Sequence, residues 1–262
     1  MRENRVKKKL AAGQPAIGSV LSLPDPFVAE LMAGAGFDFI LVEMEHSPLT
    51  ISELQNVLIG LHPTESTVLV RAAWNDVVMI KQILDVGAEG LVIPWINTAE
   101  EARRAVAAAK YPPRGIRGCG PRRAARLSSS RESYLLQADD QILVLGQIET
   151  LEAVNHLDAI LETEGLDGIM VGPADLACSM GYLHDLTNPA VDAMIETILG
   201  KCQAHGVPFG MFTGTLERAR QWIGRGGLIA TVGGDVPFIL EGIARTRQAV
   251  EEWLAGRDGS PP

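Results

Sequence analysis

A short unit, in which a helical segment ends at a glycine and an apolar strand follows, recurs along the 262-residue chain. Its copies are residues 33–42, 86–93, 164–171 and 224–232. Glycine suits the left-handed residue that ends many helices, and an uninterrupted apolar strand is typical of a parallel sheet covered on both faces. The recurrence therefore predicts an α/β fold with alternating strands and helices.

Further apolar runs bring the number of predicted strands to eight. We expect them near residues 16–21, 39–43, 67–71, 90–94, 143–148, 168–172, 208–212 and 228–232. Eight strand–helix units fit a single (β/α)8 TIM barrel over residues 1–262 better than the alternative, an open doubly wound sheet. A helix is expected over 97–110 with Thr98 as its cap, and a flexible tail over 256–262.

Residues 111–140 interrupt the strand–helix rhythm with many Pro, Gly and Arg residues. We expect a long ordered loop there, a frequent location for functional groups. Arg122, Arg123 and Arg126 of this loop can bind an anion, although a solvated or salt-bridged surface is the simpler interpretation.

The overall composition argues against several classes of partner. The net charge of −9 disfavours nucleic acid, and no uncharged apolar run reaches the length that spans a membrane. The first residues lack an apolar signal core, so a cytoplasmic location is expected. The three cysteines form no C-x-x-C pair, which predicts free thiols.

Two acidic residues each follow an apolar strand, Glu149 after 142–148 and Asp175 after 168–174. Residues just past the carboxyl ends of parallel strands face the active-site crevice, and two carboxylates there suit a hard divalent cation. Either acid alone is equally well explained as a cap of the next helix.

Other chemically useful side chains follow neighbouring strands. The His46 imidazole can move a proton near neutral pH, and the Arg71 guanidinium can hold a carboxylate or an enolate oxygen. The turn of Gly172, Pro173, Ala174 and Asp175 offers backbone N–H groups that can cradle an anion. The simpler interpretations are a hydrogen-bonded histidine, an ion-paired arginine and a plain tight turn.

A divalent cation beside Arg71 suggests bidentate binding of a 2-oxo acid through its keto oxygen and one carboxylate oxygen. The cation would act as a Lewis acid that stabilises the enolate formed when a proton or an aldehyde leaves C3. No lysine follows a strand in a position for a Schiff base, which favours the metal route over an imine.

The chain resembles the HpcH/HpaI family of class II pyruvate aldolases over residues 5–250. The resemblance rests on a set of motifs found at 33–39, 45–46, 70–71, 74–76, 80–88, 111–118, 147–150, 164–168, 171–176 and 231–233. It implies a (β/α)8 barrel of the phosphoenolpyruvate/pyruvate superfamily. It also implies a carbon–carbon lyase that reversibly cleaves a 4-hydroxy-2-oxo acid to pyruvate and an aldehyde.

The same resemblance implies roles for individual residues. Glu149 and Asp175 would bind Mg²⁺ or Mn²⁺, with Co²⁺ or Zn²⁺ as alternatives, and Arg71 would contact the pyruvyl oxygen. His46 would be the general base, supported by Asp85. The amides of 172–175 would hold the pyruvyl carboxylate. Family members are commonly hexamers, trimers of dimers that exchange the C-terminal helix, so some groups can cross a subunit boundary.

The chain departs from the family pattern near the aldehyde side of the site. Glu43-Met44 stands where many relatives have Asp followed by Gly or Thr. We expect Phe212, at the end of the seventh strand, to form a wall of the aldehyde pocket with Met44 opposite, which favours short aldehydes. The alternatives are an oxaloacetate decarboxylase or other enolate chemistry of the superfamily, and, less favoured, a non-catalytic ligand-binding paralogue.

Overall fold

Eight parallel strands form the centre of the computed structural model, which describes residues 1–62 and 65–257. The strands are Ala16–Leu21 (β1), Phe39–Glu43 (β2), Thr67–Arg71 (β3), Gly90–Ile93 (β4), Leu143–Ile148 (β5), Gly168–Val171 (β6), Phe209–Gly214 (β7) and Ile229–Gly234 (β8). They pair in chain order, and β1 also pairs with β8, so the sheet closes into a barrel. The predicted (β/α)8 barrel is confirmed, and the open sheet is excluded.

Helices connect the strands on the outside of the barrel. They are Arg5–Ala11 (α1), Pro26–Ala33 (α2), Ile51–Gly60 (α3), Val77–Asp85 (α4), Ala99–Ala109 (α5), Arg122–Arg126 (α6), Arg131–Gln141 (α7), Leu151–Asn155 (α8), Leu157–Leu161 (α9), Pro173–Ser179 (α10), Pro189–His205 (α11), Leu216–Gly224 (α12) and Asp235–Arg257 (α13). None of the helices in the described ranges is both long and apolar enough to cross a membrane.

The hydrophobic core has two layers, which explains why the strands are apolar on both faces. An inner cluster, which includes Phe39, Leu41 and Leu145, fills the barrel. An outer cluster, which includes Ile40 and Val144, packs the barrel against the helices. Neighbouring residues of one strand thus point into different layers, as the alternation of side chains along a strand requires.

The recurring glycine has the conformation that the sequence predicts. In the four units, Gly36, Gly87, Gly165 and Gly226 have φ of 78°, 111°, 86° and 100°. Side chains with a β-carbon rarely adopt this region, so glycine allows each helix to end and the chain to enter the next strand. The cap of α5 is confirmed as well, since Thr98 forms a capping box with Glu101.

The expectation that residues 111–140 form a loop is wrong in its second half, which contains α6 and α7. Ser130 caps α7 by accepting a hydrogen bond from the Ser133 amide, and Tyr134 and Ala138 bury one face of the helix. Its polar composition conceals that narrow apolar face. Helix α13 continues to residue 257, so the predicted tail at 256–262 begins too early, and 258–262 lie outside the described residues.

Strands β7 and β8 end two residues later than predicted. The register between them shifts between Phe212 and Gly214, and Gly214 and Gly233 have positive φ values of 68° and 61°. A bulge lets the ladder continue through glycines that lack strand propensity. The shift lies at the carboxyl ends, where functional side chains follow the strands.

Close packing at the amino end of the barrel predicts that Gly90→Ala is destabilising. A methyl group at Gly90 would lie 2.8 Å from Leu143 Cβ and 2.9 Å from Leu143 O, atoms that cannot move without shifting β5. We expect a loss of about 1–3 kcal/mol in the free energy of unfolding. Denaturant titration measures this, with Gly200→Ala in α11 as the control because nothing lies within 4 Å of its added methyl group. Equal stabilities for the two variants would contradict the packing account.

Candidate active site

The carboxyl ends of β2, β3, β5 and β6 bring an acidic cluster around one arginine. Glu43 ends β2 and pairs in register with Arg71, which ends β3. Glu149 follows β5, and Asp175 lies in the first turn of α10, directly after β6. The barrel therefore gathers Arg71, Glu149 and Asp175 at one rim, as predicted from the sequence. The rim consists of the carboxyl ends of the strands and the segments that follow them.

Glu149 is held tightly in a buried position, with 1% of its surface exposed. Its Oε1 accepts a hydrogen bond from the Trp95 amide at 2.8 Å, and its Oε2 accepts one from Gln147 Nε2. Burial raises the pKa of the carboxyl, and the charge of Asp175 adds to this effect. A β-carbon at Gly172 would lie 3.0 Å from Oε2, so glycine is needed for this close approach.

Glu45 is a third carboxylate of the cluster that our sequence analysis did not assign to the site. Burial raises its pKa to about 7; the Arg71 charge opposes the shift, and the charges of Glu149, Glu43 and Asp175 reinforce it. Its Oε2 is buried and has no hydrogen-bond partner, although it lies 3.2 Å from Arg71 Nη1 as an ion pair. Among the described residues, no group donates a hydrogen bond to Glu45 Oε2, so this oxygen can still accept one.

Arg71 is fixed from several directions by groups from other strands. Its Nε donates to Glu43 Oε2 at 2.5 Å, and its Nη1 lies 3.5 Å from Gln147 Oε1. The guanidinium carbon lies 4.7 Å from the centre of the Phe212 ring, a cation–π contact. These contacts immobilise the forked guanidinium group, so it can bind an oxyanion with little further loss of side-chain entropy.

Glu43 connects Arg71 to the turn that carries His46. While Oε2 accepts from the arginine, Oε1 accepts hydrogen bonds from the amides of Glu45 and His46 at 2.6 and 2.9 Å. This residue was noted from the sequence only as a departure from the family pattern. Its register with Arg71, at the ends of two predicted strands of equal length, was the signal that could have identified it.

His46 and Asp85, both expected to act together, are separated in the chain. The His46 side chain is 61% exposed, and its Nε2 lies 4.0 Å from Glu45 Oε2. Asp85 ends α4, which returns to the amino end of β4, and it accepts a hydrogen bond from Arg117 Nη2 at 2.7 Å. The direct support of His46 by Asp85 is therefore not formed within one chain.

The expected aldehyde pocket is also only partly formed as predicted. Phe212 packs beside the inner cluster and against Arg71, at the rim. Met44 belongs to the outer cluster, between the barrel and the helices. The interpretation that Met44 lies opposite Phe212 is therefore wrong, because the strand alternation turns Met44 away from the interior.

The donor set is compatible with a divalent cation. The charges of Glu43, Glu149 and Asp175 act on Glu45, and Arg71 pairs with Glu43 and Glu45. Burial and mutual repulsion raise the pKa of Glu45 and Glu149. Within residues 1–62 and 65–257, no three His, Cys, Asp or Glu side chains converge closely enough to hold a metal by themselves. The residues thus fit a cation bound by two carboxylates, with other positions left for substrate and water.

A closed parallel barrel with buried carboxylates and a fixed arginine at its carboxyl rim defines the class of (β/α)8 enzymes that act on small molecules. A family model described as HpcH/HpaI aldolase/citrate lyase matches residues 18–241. The chain belongs to this family and is a carbon–carbon lyase.

Individual relatives resemble the chain over nearly its whole length. A 4-hydroxy-2-oxo-heptane-1,7-dioate aldolase of Salmonella newport (strain SL254) is 42% identical over 260 residues, 98% of this chain and 99% of that protein. The crystal structure of an HpcH/HpaI aldolase/citrate lyase family protein from Burkholderia cenocepacia J2315 matches with a TM-score of 0.87 and 34% identity, covering 95% and 98% of the two chains. The structure of citrate synthase SbnG matches with a TM-score of 0.85 and 26% identity, covering 95% and 98%.

The raised pKa of Glu45 predicts a pH-dependent effect of Glu45→Gln on stability. A buried carboxyl with a pKa of about 7 contributes stability that is present below about pH 4.5 and is lost as pH rises through 7. The glutamine side chain cannot ionise, so the variant does not lose this stability as pH rises. In excess chelator, the free energy of unfolding of the variant should therefore gain up to about 3 kcal/mol on the parent between pH 4.5 and 8. A difference that is constant over this range would contradict the assignment.

Proposed function

We propose that the chain is a divalent-metal-dependent class II aldolase that reversibly cleaves a 4-hydroxy-2-oxo acid to pyruvate and an aldehyde. The observation that carries the proposal is the excess of buried carboxylates around Arg71. The name of the Salmonella relative supports a substrate of this class. A second support is the position of these groups at the carboxyl ends of the strands or directly after them, where barrel enzymes bind their substrates.

Glu149 and Asp175 would hold the ion, Mg²⁺ or Mn²⁺, through oxygen. When bound, a divalent ion supplies Lewis-acid polarisation of the keto oxygen of the 2-oxo acid. The Trp95 amide and the Gln147 amide group orient Glu149, and each leaves its carboxylate oxygen with a further lone pair. Gly172 lets the turn after β6 approach Glu149, and backbone amides of this turn would hold the pyruvyl carboxylate.

Arg71 would stabilise the negative charge that develops on the keto oxygen as the C3–C4 bond breaks. Its forked guanidinium can donate to that oxygen, and its contacts with Glu43 and Phe212 fix it before the reaction begins. A donor that is already immobile stabilises the transition state, because the site does not have to reorganise when the negative charge forms.

His46 would remove the proton of the C4 hydroxyl group as the bond breaks. Its exposed ring at the rim can reach a substrate or a water held above the cluster. Within one chain Asp85 pairs with Arg117 rather than with His46, so support from Asp85 would come from a second subunit. Phe212 would contact the aldehyde portion, with its ring also restraining Arg71.

An oligomer is part of the proposal. Helix α13 leaves several large apolar side chains exposed in the single chain, namely Phe238, Ile239, Leu240, Ile243, Val250, Trp253 and Leu254. Exposed apolar area of this extent on one helix is typical of a surface that another subunit covers. A hexamer built from dimers that exchange this helix would bury it.

Other enolate chemistry is the second candidate, because a relative with the same fold at 26% identity is named a citrate synthase. An oxaloacetate decarboxylase would use the same carboxylates and Arg71, without a base for an aldol hydroxyl. Rates with oxaloacetate and with 4-hydroxy-2-oxo acids distinguish the two. We expect higher kcat/KM with the hydroxy acids, and the reverse preference would favour the decarboxylase.

Loss of one ligand charge should abolish metal-dependent chemistry while the fold is kept. Glu149→Gln or Asp175→Asn lacks the anionic oxygen that holds the ion, so exchange of the pyruvate C3 protons with deuterium should fall on the order of 1000-fold. NMR measures the exchange, circular dichroism checks the fold, and Glu152→Gln, exposed on α8, is the control. Full activity after exhaustive chelation would falsify the metal assignment.

Arg71 and His46 should differ in which step they affect. Arg71→Ala should lower both pyruvate exchange and retro-aldol cleavage by about 100- to 1000-fold, because both pass through the same negative charge. His46→Ala should lower cleavage by about 100-fold or more and exchange much less. Arg71→Lys, which keeps the charge but not the fork, separates charge from geometry. Near-normal exchange in Arg71→Ala would rule out its role.

A further inference from the structure

Trp95 has an unusual backbone for a large side chain. Among residues 1–62 and 65–257 it is the non-glycine residue with positive φ, at 55°. An aromatic side chain adopts this left-handed region only when its surroundings require it, and such outliers concentrate at functional sites. The position therefore needs a physical explanation.

The backbone around Trp95 is fixed on both sides. Pro94 and Ile96 are buried, and the Ile96 amide donates to the Gln147 carbonyl oxygen at 3.3 Å. Between them, the chain leaves the strand ladder, and the Trp95 amide donates instead to Glu149 Oε1 at 2.8 Å. The left-handed turn thus directs one backbone amide at a carboxylate of the site.

The Trp95 ring is not held by the hydrophobic core, since 42% of the residue is exposed. It lies against the ring of Trp74, which follows β3 on the same rim. The two ring centres are 5.8 Å apart, with planes tilted by 39°. This distance and tilt are favourable for an aromatic pair.

We propose that Trp95 is a positioning residue for Glu149, and that its ring pair with Trp74 keeps the left-handed turn in place. The inference rests on the proposed function, because the carboxylate that Trp95 orients is the one assigned to the metal ion. Without the ring pair, Trp95 would relax towards negative φ and turn its amide away from Oε1. Gln147 alone would then orient Glu149, and the carboxylate could rotate about its χ angles.

Three variants separate the ring from the backbone. Trp95→Ala removes the ring but keeps the penalty for positive φ, whereas Trp95→Gly removes the ring and the penalty together. Trp74→Ala removes only the partner ring. If the ring pair holds the turn, Trp95→Ala and Trp74→Ala should weaken Mn²⁺ binding by roughly 10- to 100-fold, as outer-shell changes do, and Trp95→Gly should weaken it least.

Calorimetric titration with Mn²⁺ measures the affinity, and hydrogen exchange of the residue-95 amide measures the turn without any metal. The control is Leu216→Ala, an exposed apolar residue at the start of α12 on the same rim, which should leave both values unchanged. We expect Trp74→Ala to increase amide exchange at Trp95 at least tenfold.

Parent-like Mn²⁺ affinity and amide exchange in Trp74→Ala would overturn the inference. It would also be overturned if Trp95→Gly weakened Mn²⁺ binding as much as Trp95→Ala. A parent protein that binds no Mn²⁺ would instead defeat the proposed function and the assigned role of Glu149 with it.

Discussion

The burial of several carboxylates around one guanidinium is the interaction on which the site depends. Glu43 and Glu45 both pair with Arg71, while Glu149 lies deeper and accepts hydrogen bonds from neutral groups of Trp95 and Gln147. Burial raises the pKa of Glu45 and of Glu149, and the charges of neighbouring carboxylates add to a shift that the Arg71 charge only partly opposes. A divalent cation would restore the balance, which makes the stability of the site and its chemistry two consequences of the same electrostatic arrangement.

The barrel makes this arrangement possible because it delivers side chains from different strands to one rim and excludes water beneath them. Glycine at position 172 lets the turn after β6 approach Glu149, and the ring of Phe212 lies under the guanidinium. The inner cluster of apolar side chains lies beneath these groups. Glu43 and Arg71 are fixed at strand ends, and Glu149 directly follows a strand. The His46 side chain, in contrast, is exposed.

Hydrophobic pattern and glycine spacing were sufficient to predict the barrel, its eight strands and the shared rim of Arg71, Glu149 and Asp175. They were not sufficient for contacts set by tertiary geometry. Glu45 belongs to the site through its burial beside Arg71, and the turn at Trp95 depends on a conformation that no propensity predicts. Helix α7 was missed because two buried residues, Tyr134 and Ala138, carry its apolar face within a polar sequence. Asp85 was expected beside His46 from the family resemblance, and the structure pairs it with Arg117 instead.

The most direct test of the electrostatic account is titration of the chelated protein with Mn²⁺, followed by electron paramagnetic resonance, with and without pyruvate. Glu149 and Asp175 predict one site per chain, with coordination positions left for substrate oxygens. The account therefore predicts stoichiometric binding that tightens when pyruvate is present. Absence of a stoichiometric site in a protein that still cleaves its substrate would contradict it.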